Sequence, residues 1–574
     1  MRKNALVAEI FFEIADLLEI QEVQWKPQAY RKAAQSIESL TEDIVVLAQE
    51  HRLKNIPGVG EALAEKIDEI VKTGKLKYLD SLRKQVPIRV EELSQIEGLG
   101  PKTLKLLYKE LKVKNLQDLK RAAKAGKIRQ LKGLGEKKEQ LILEGIGRVA
   151  QRVPGRILLG QAVPIAEDII SLLKKVPGTQ SAEVAGSYRR GKETVGDIDI
   201  LLISTQPKKA MEVFVSMPEV EKIFAQGSTK SSIRLAHGVQ VDVRVLHKEQ
   251  YGAALQYFTG SKEHSVALRK LALRKGLTLS EYGLFTVKGK KLVASKTEAE
   301  IYNKIGLQYV PPEMRENRGE IELALKRKLP ELVAFKDIHG DFQTQTTWSD
   351  GVHSIEELAR YAQSLGWKFL TITDHVGGIG IANPLDEKRL LKQAQEIEKL
   401  NKKLAIHIFK GAEIDIKKSG ELALSKKACK ELDVVLASIH SAFRMSSAEM
   451  TKRICSAFEN YPVHVFGHPT ARLINTRDPV DFYIDKVFQT AKDQGVFLEI
   501  NGQPARMDLS DMHVHHAREL GCSFVISSDA HSKEQLLYTR YAVTTARRGW
   551  LEKKHVLNTK TLKEIEKVLA RRQL

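Results

Sequence analysis

The stretch from Gly186 to Asp199 reads GSYRRGKETVGDID and carries the residues best suited to chemistry. Side chains alternate between the two faces of a strand, so Asp197 and Asp199 in DIDILLI project the same way. Two like charges side by side on an apolar strand repel unless a cation lies between them. Ahead of them, a Gly-Ser turn rich in Arg and Lys offers backbone N–H groups and side chains to phosphate. Asp242 interrupts a second apolar run, VQVDVRVL, from which a neighbouring strand would supply a third carboxylate. Three carboxylates beside a phosphate-gripping turn point to two-metal phosphoryl or nucleotidyl transfer. A DxD pair by itself also suits a solvated strand edge. The glycines, the basic turn and the distant third Asp tip the reading toward a metal site.

The elements that position these residues sit in a chain of 574 residues, long enough for several domains. A formal charge of +20 favours a polyanionic partner. The excess is uneven: residues 101–150 carry 14 Lys/Arg against 5 Asp/Glu, whereas residues 1–50 carry 5 against 9. Cys429, Cys455 and Cys522 are far apart and suggest neither a disulfide framework nor a zinc knuckle. The first helix mixes acidic and apolar residues, unlike a signal peptide, and no run of about 18 apolar residues suggests a membrane span. The expectation is a reduced, cytoplasmic, nucleoid-associated protein, by default a monomer.

Residues 1–150 read as helices joined by glycine turns, with one pattern repeated. IPGVGEALAEKI, IEGLGPKTLKLL and LKGLGEKKEQLI share an apolar-x-Gly-apolar-Gly turn followed by a helix. The turns, at Gly58 and Gly60, Gly98 and Gly100, and Gly133 and Gly135, resemble the helix-hairpin-helix, which presents backbone N–H groups to a DNA phosphate. Beyond residue 337, short apolar strands such as KFLTITDH, DVVLASIHS and FVISSDAHS end in polar residues. That placement predicts a (β/α) barrel with a metal-binding mouth.

Residues 1–318 resemble the family X DNA polymerases, the group that includes DNA polymerase beta, through GSYRRGKETVGDID, VDVRVLHKEQYGAALQYFTGS and GLTLSEYG. Residues 337–574 resemble the PHP phosphoesterase domain, so resemblance covers nearly the whole chain. It implies a multidomain fold: an all-α helix-hairpin-helix region, an α/β nucleotidyltransferase palm and a distorted (β/α) barrel. The expected boundaries are 1–85 for a lyase-like helical domain, 86–150 for a second helix-hairpin-helix subdomain and 151–245 for the palm. A nascent-base-pair subdomain would cover 246–318, a linker 319–336 and the PHP domain 337–574.

By this resemblance, Asp197, Asp199 and Asp242 would hold two Mg²⁺ or Mn²⁺ ions, one activating the primer 3′-hydroxyl and the other the triphosphate. Gly186, Ser187, Arg190 and Gly196 would cradle the β and γ phosphates of a deoxynucleoside triphosphate. Tyr257, Phe258 and Gly260 match a sugar-sensing segment, Arg269 a template minor-groove contact, and Arg244 and Glu281 a switching ion pair. Ser265 stands where animal relatives carry an Asn against the incoming base. Lys66 matches a lysine that removes 5′-deoxyribose phosphate through a Schiff base, with Lys26 and Tyr30 in support. Trp25, Ala62 and Tyr78 replace basic or imidazole residues of that pocket.

The PHP resemblance supplies the ligands Asp350, His375, Glu413, His440, His468, Asp529 and His531 for Mn²⁺ or Zn²⁺. Gln343 and Gln345 stand where the family has a His-x-His pair. A neutral amide binds such metals more weakly than imidazole. The barrel is therefore expected to act chiefly as a scaffold with incomplete metal occupancy, rather than as an efficient 3′–5′ exonuclease. The expected function is a DNA-directed DNA polymerase filling short gaps in primed or gapped DNA during base excision repair or end joining. Two alternatives remain: a PHP phosphoesterase tethered to DNA, and a non-catalytic repair scaffold.

Overall fold

A computed structural model describes residues 4–38, 44–93, 96, 99–151, 156–236, 238–377 and 383–570. Helices Asn4–Ile20 and Lys26–Glu38 open the chain and pack against each other. Val7, Phe11, Ile14 and Leu18 recur at helical spacing and are buried, with Phe11 edge-on to Tyr30 at 5.2 Å. One continuous core runs from Val7 to Ile146, so the residues of the two expected helical subdomains share an interior.

The repeated glycine pattern folds the same way wherever it is described. Val59 N–H donates to Ile56, Leu99 N–H to Ile96 and Leu134 N–H to Leu131, at 2.9–3.1 Å. Each turn then opens a helix: Glu61–Thr73, Pro101–Leu111 and Glu136–Gln151. Gly58 and Gly133 both take φ +82°, a conformation glycine adopts without strain. Gly98 lies outside the described residues.

A five-stranded sheet follows in the order Thr179–Val184, Asp197–Ser204, Gln240–Val245, Lys230–Leu235, Val220–Gln226. Only Asp197–Ser204 and Gln240–Val245 are parallel within it. Ile198, Ile200 and Leu202 face a core shared with helices Leu159–Lys174 and Pro207–Val215. The alternate residues Asp197 and Asp199 therefore point to the other face. Beyond the sheet lie helices Tyr251–Thr259 and Lys262–Arg274, a three-stranded antiparallel sheet and helix Glu298–Ile305.

Residues 319–336, expected to be a linker, are instead folded structure. Glu320–Leu325 is a helix, and Ile321, Ala324 and Leu332 join the core around helix Lys262–Arg274. Val333 is buried and donates its N–H to Leu551. Lys326, Arg327, Lys328 and Glu331 are exposed, while Ile321, Ala324, Leu332 and Val333 are buried.

The last region is a barrel of seven parallel strands in sequence order: Gly340–Thr344, Phe369–Ile372, His407–Asp415, Val434–Ser438, Val465–Phe466, Phe497–Asn501 and Phe524–Ser527. A short strand, His375–Val376, pairs beside the third, and a parallel bridge between Thr344 and Ala530 joins the last edge to the first. Its helix Thr539–Arg548 lies against the segments 189–192 and 312–316. Met507 and Tyr541 belong to the core of the five-stranded sheet, and Trp550 to the core that also takes in Leu332. No described helix is long and apolar enough to cross a membrane.

Candidate active sites

The parallel register sets Asp199 opposite Asp242, with Asp197 two residues away on the same face. Burial, then the charges of Asp197 and Asp242, push the Asp199 carboxyl up to about 7. Ser232 lies across from Asp242 on the antiparallel neighbour and donates its hydroxyl to Oδ1. Gln240 donates its amide to the same oxygen at 3.2 Å. Both donors reach Oδ1, so Oδ2 is the oxygen they leave for a further partner.

The glycine turn sits directly on this cluster. Ala185 donates its N–H to the Asp199 carbonyl at 2.8 Å, and Gly186 takes φ +63°. A short helix, Gly186–Arg189, places Ser187 half-buried in its first turn. Arg189 makes a two-pronged pair with Glu298 at 2.8 and 2.9 Å, and Glu298 also accepts from the buried Arg315. Burial raises the Glu298 carboxyl, but Arg315 and Arg189 outweigh it and bring it down to about 2. Arg190 donates to Glu316 at 3.1 Å and to the Thr259 carbonyl at 2.5 Å. Gly196 packs near Arg156, 3.1 Å from where a β-carbon would stand.

Tyr257 and Phe258 meet edge to face at 5.2 Å, and Gly260 follows with φ +68° beside Arg190. Arg244, expected to form a switching ion pair with Glu281, lies over the Phe258 ring at 4.6 Å. Ser265 is buried with its hydroxyl unpartnered, and its carbonyl accepts from exposed Arg269 at 3.2 Å.

In the amino-terminal region, Lys66 is half-buried, 5.4 Å from the Tyr78 ring, and donates to the Ala62 carbonyl. Tyr78 stacks on Tyr30 at 6.4 Å. Lys26 is exposed at the start of its helix, and Trp25 before it is 86% exposed.

In the barrel, Glu413 is the hub. His468 and His440 donate to Oε1 at 2.8 and 3.0 Å, while His375 stands 3.4 Å from Oε2. Gln343 and Gln345 donate their amides to the same Oε2 at 2.9 and 3.2 Å. Burial opposes ionisation of Glu413, but His375, His440 and His468 hold the carboxyl well below its usual range. Asp350 lies 3.7 Å from His375 and 3.6 Å from His531. Burial disfavours the charged His531 ring, yet Asp350 raises it to about 9. Asp529 faces Arg506 at 3.4 Å and Asn501 at 3.2 Å. His339 and His353 turn elsewhere, to the Lys560 carbonyl and the Lys533 N–H.

Comparison with known proteins settles the family. Residues 161–249 match the DNA polymerase beta palm and 254–316 the DNA polymerase beta thumb. Residues 2–76 match a helix-hairpin-helix domain, 90–148 a SAM-like helix-hairpin-helix tandem, and 340–503 the PHP domain. Over 550 residues, 95% of each chain, the protein is 36% identical to the DNA polymerase/3′-5′ exonuclease PolX of Bacillus subtilis (strain 168). The chain belongs to the family X DNA polymerases that carry a PHP domain. It is 27% identical over 344 residues to DNA polymerase lambda of Rattus norvegicus, covering 54% of this chain and 56% of that one. The DNA polymerase lambda of Arabidopsis thaliana matches over 349 residues at 27%, covering 54% and 62%.

This family X polymerase is thus a DNA-directed DNA polymerase whose sites use divalent metals, DNA and nucleotides. Its palm has the oxygen ligands that suit hard cations: Asp199 pairs with Asp242 across the parallel register, Asp197 lies two residues away, and burial and these two carboxylates raise the Asp199 carboxyl against the opposing pull of Arg244 and Lys230. In the PHP barrel two sets of ligand atoms, Asp350/His375/His531 and His375/Glu413/His440, each lie within 4.8 Å of one another. Sharing His375, they fit a nitrogen- and oxygen-liganded ion better than a full cluster. Sequence reading missed Ser232, Gln240, Glu298, Glu316 and Arg506. Strand register and side-chain reach decide those partners, and neither leaves a motif. Glu499, fully buried beside Asp529 with its carboxyl well above the usual range, left one sign: a carboxylate inside the apolar run VFLEIN.

Proposed function

We propose that the chain fills short gaps in DNA by nucleotidyl transfer centred on Asp197, Asp199 and Asp242. The observation that carries this reading is the parallel pairing of Asp199 with Asp242 beneath the Gly186 turn. Mg²⁺ or Mn²⁺ ions held by these carboxylates would supply the charge that acidifies the primer 3′-hydroxyl and neutralises departing pyrophosphate. Ser232 and Gln240 fix the orientation of Asp242. Gly186 keeps the turn close to Asp199, and Ser187 and Arg190 orient the triphosphate. Tyr257, Phe258 and Gly260 line the sugar side, with Ser265 and Arg269 toward the nascent pair. The helix-hairpin-helix turns hold the duplex through backbone N–H groups. In support, Gly60, Gly100, Gly133 and Gly135 face open space, leaving room for an outside phosphate.

Primer extension on a one-nucleotide gap bearing a 5′-phosphate tests this reading, with Asp242→Ala in parallel. Template-correct addition by the wild type and its loss in the variant are expected. Gap binding without addition, with either metal, would leave a repair scaffold. Lys66, against Tyr78, is assigned the lyase role, tested by borohydride trapping on a 5′-deoxyribose phosphate end.

For the PHP barrel, the 3′-5′ exonuclease in the Bacillus protein's name carries over here in weakened form. Gln343 and Gln345 already satisfy Glu413, and Arg506 faces Asp529, where a complete metal cluster would need those carboxylates. We assign this barrel a reduced metal complement, held by Asp350, His375 and His531.

A further inference from the structure

The barrel helix Thr539–Arg548 closes over the back of the nucleotide turn. Arg548, 3% exposed, donates to the Arg190 carbonyl at 2.6 Å, to Glu316 Oε1 at 3.1 Å and to Asp511 at 2.6 Å. Glu316 Oε1 also accepts from Arg190 at 3.1 Å. One carboxylate oxygen is thus shared between an arginine of the polymerase turn and an arginine of the PHP barrel. The next residue leaves no slack: a β-carbon on Gly191 would lie 2.0 Å from Thr544 Cγ2. Farther along, Glu193 pairs with Arg472 of the barrel at 2.6 Å.

We propose that Arg548 is a positioning residue for nucleotide binding in the palm, setting how firmly Glu316 holds Arg190 away from the triphosphate. The inference rests on the reading of the Gly186–Arg190 turn as the phosphate cradle. The physical argument concerns competition for a buried charge. A carboxylate taken out of water needs full compensation, and Glu316 obtains it from two arginines. While Arg548 supplies part of that compensation, Arg190 can turn to an incoming phosphate without stranding Glu316. With Arg548 gone, Glu316 depends on Arg190 and on the more distant Lys192, 3.9 Å away. Arg190 then leaves Glu316 at a higher cost, and the triphosphate binds more weakly. The carbonyl contact adds to this by fixing the backbone from which the Arg190 side chain extends. The PHP barrel thereby takes part in nucleotide selection through its frame, independently of any metal it holds.

The test is steady-state filling of a one-nucleotide gap by the full chain and four variants. In Arg548→Gln, KM for the nucleotide should rise by about tenfold or more, the size expected for a lost hydrogen bond between charged groups. kcat should stay within about twofold, because the interaction is made before the chemical step. Affinity for gapped DNA should not change. Adding Glu316→Gln to Arg548→Gln should bring KM back toward the wild-type value, because it removes the carboxylate that traps Arg190. A general loosening of the fold would not be rescued in this way. Arg548→Lys keeps a charge but loses the planar fork that reaches the Arg190 carbonyl and Glu316 through Nη1 and Asp511 through Nη2, and should give an intermediate KM; it also carries the test if the Gln variant fails to fold by circular dichroism. An unchanged KM in Arg548→Gln, or a raised KM with no rescue in the double variant, would overturn the proposal. Arg190→Gln separates the two levels. If it raises KM while Arg548→Gln and Arg548→Lys do not, this inference falls alone. If Arg190→Gln leaves KM unchanged, the phosphate-cradle reading falls and takes this one with it.

Discussion

A β-carbon added to Gly186 would stand 2.8 Å from Oδ2 of Asp199, so the turn and the central carboxylate occupy adjoining space with no margin. The glycine also holds φ +63°, where any larger residue is strained. Gly186→Ala should therefore displace Asp199 rather than merely loosen the turn. We expect kcat/KM for gap filling to fall by about a hundredfold, the usual cost of misplacing a reacting group. Thermal stability should drop only slightly. A loss below about threefold would show that the turn tolerates the displacement.

The pair between Arg189 and Glu298 joins the palm to the thumb and should be visible as pH-dependent stability. Arg315 and Arg189 lower the buried Glu298 carboxyl to about 2 from an unfolded value of 4.5. A group depressed in this way stabilises the fold above its unfolded value and loses that contribution as pH falls toward the folded one. The contribution amounts to about 3 kcal/mol at neutral pH. Chemical denaturation of wild type and Glu298→Gln should differ at pH 7 by at least about that amount, since two arginines are left facing a neutral amide. The difference should shrink steadily between about pH 4.5 and pH 2.

Replacing Gln343 and Gln345 with histidine should raise the barrel's capacity for metal. In Gln343→His/Gln345→His, elemental analysis after Mn²⁺ loading should show about one additional ion per chain, because imidazole binds borderline metals where a carboxamide does not. The variant should also degrade single-stranded 3′ ends faster than wild type, with gap filling little changed. Equal metal content in both proteins would mean that Glu413 coordinates metal despite its amide partners.

DNA affinity should reside in backbone contacts at the hairpin turns. Gly60 and Gly100 have extended backbones, φ −88° and −70°, and open space where a side chain would go. Gly60→Leu and Gly100→Leu should thus leave the melting temperature unchanged. Each should weaken gapped-DNA binding by about tenfold through the loss of one phosphate contact. For the wild type, log Kd should rise linearly with log salt concentration. Unchanged affinity in both variants would move the DNA surface elsewhere.

How far the sequence led can be traced residue by residue. Strand periodicity put Asp197 and Asp199 on one face, and an isolated charge in an apolar run marked Asp242, because both signals are local. Ser232 escaped: its reach to Asp242 depends on antiparallel register, which no short motif encodes. Among the residues expected as PHP ligands, Asp350, His375, Glu413, His440 and His531 do come together, yet the inward turn of the Gln343 and Gln345 amides onto Glu413 required the barrel to close. Residues 319–336 misled because Lys, Arg and Pro there suggested an exposed tether, whereas Leu332 and Val333 are buried. Arg472, Arg540 and Arg548 look like ordinary surface charge in sequence. They are among the ion pairs that join the two halves.

Trp550 belongs to the barrel by sequence but lies in the thumb's apolar core, beside a connecting segment that is itself folded in. The two halves therefore share an interior as well as a boundary. A truncation after residue 318 would expose apolar surface to water, and a protease would find no slack tether to cut between them. Gln343 and Gln345 in the barrel's mouth are not part of this shared core, whereas deletion of the barrel would take part of the thumb's core with it. The polymerase's own fold thus holds the barrel in place, whatever chemistry the barrel's mouth performs.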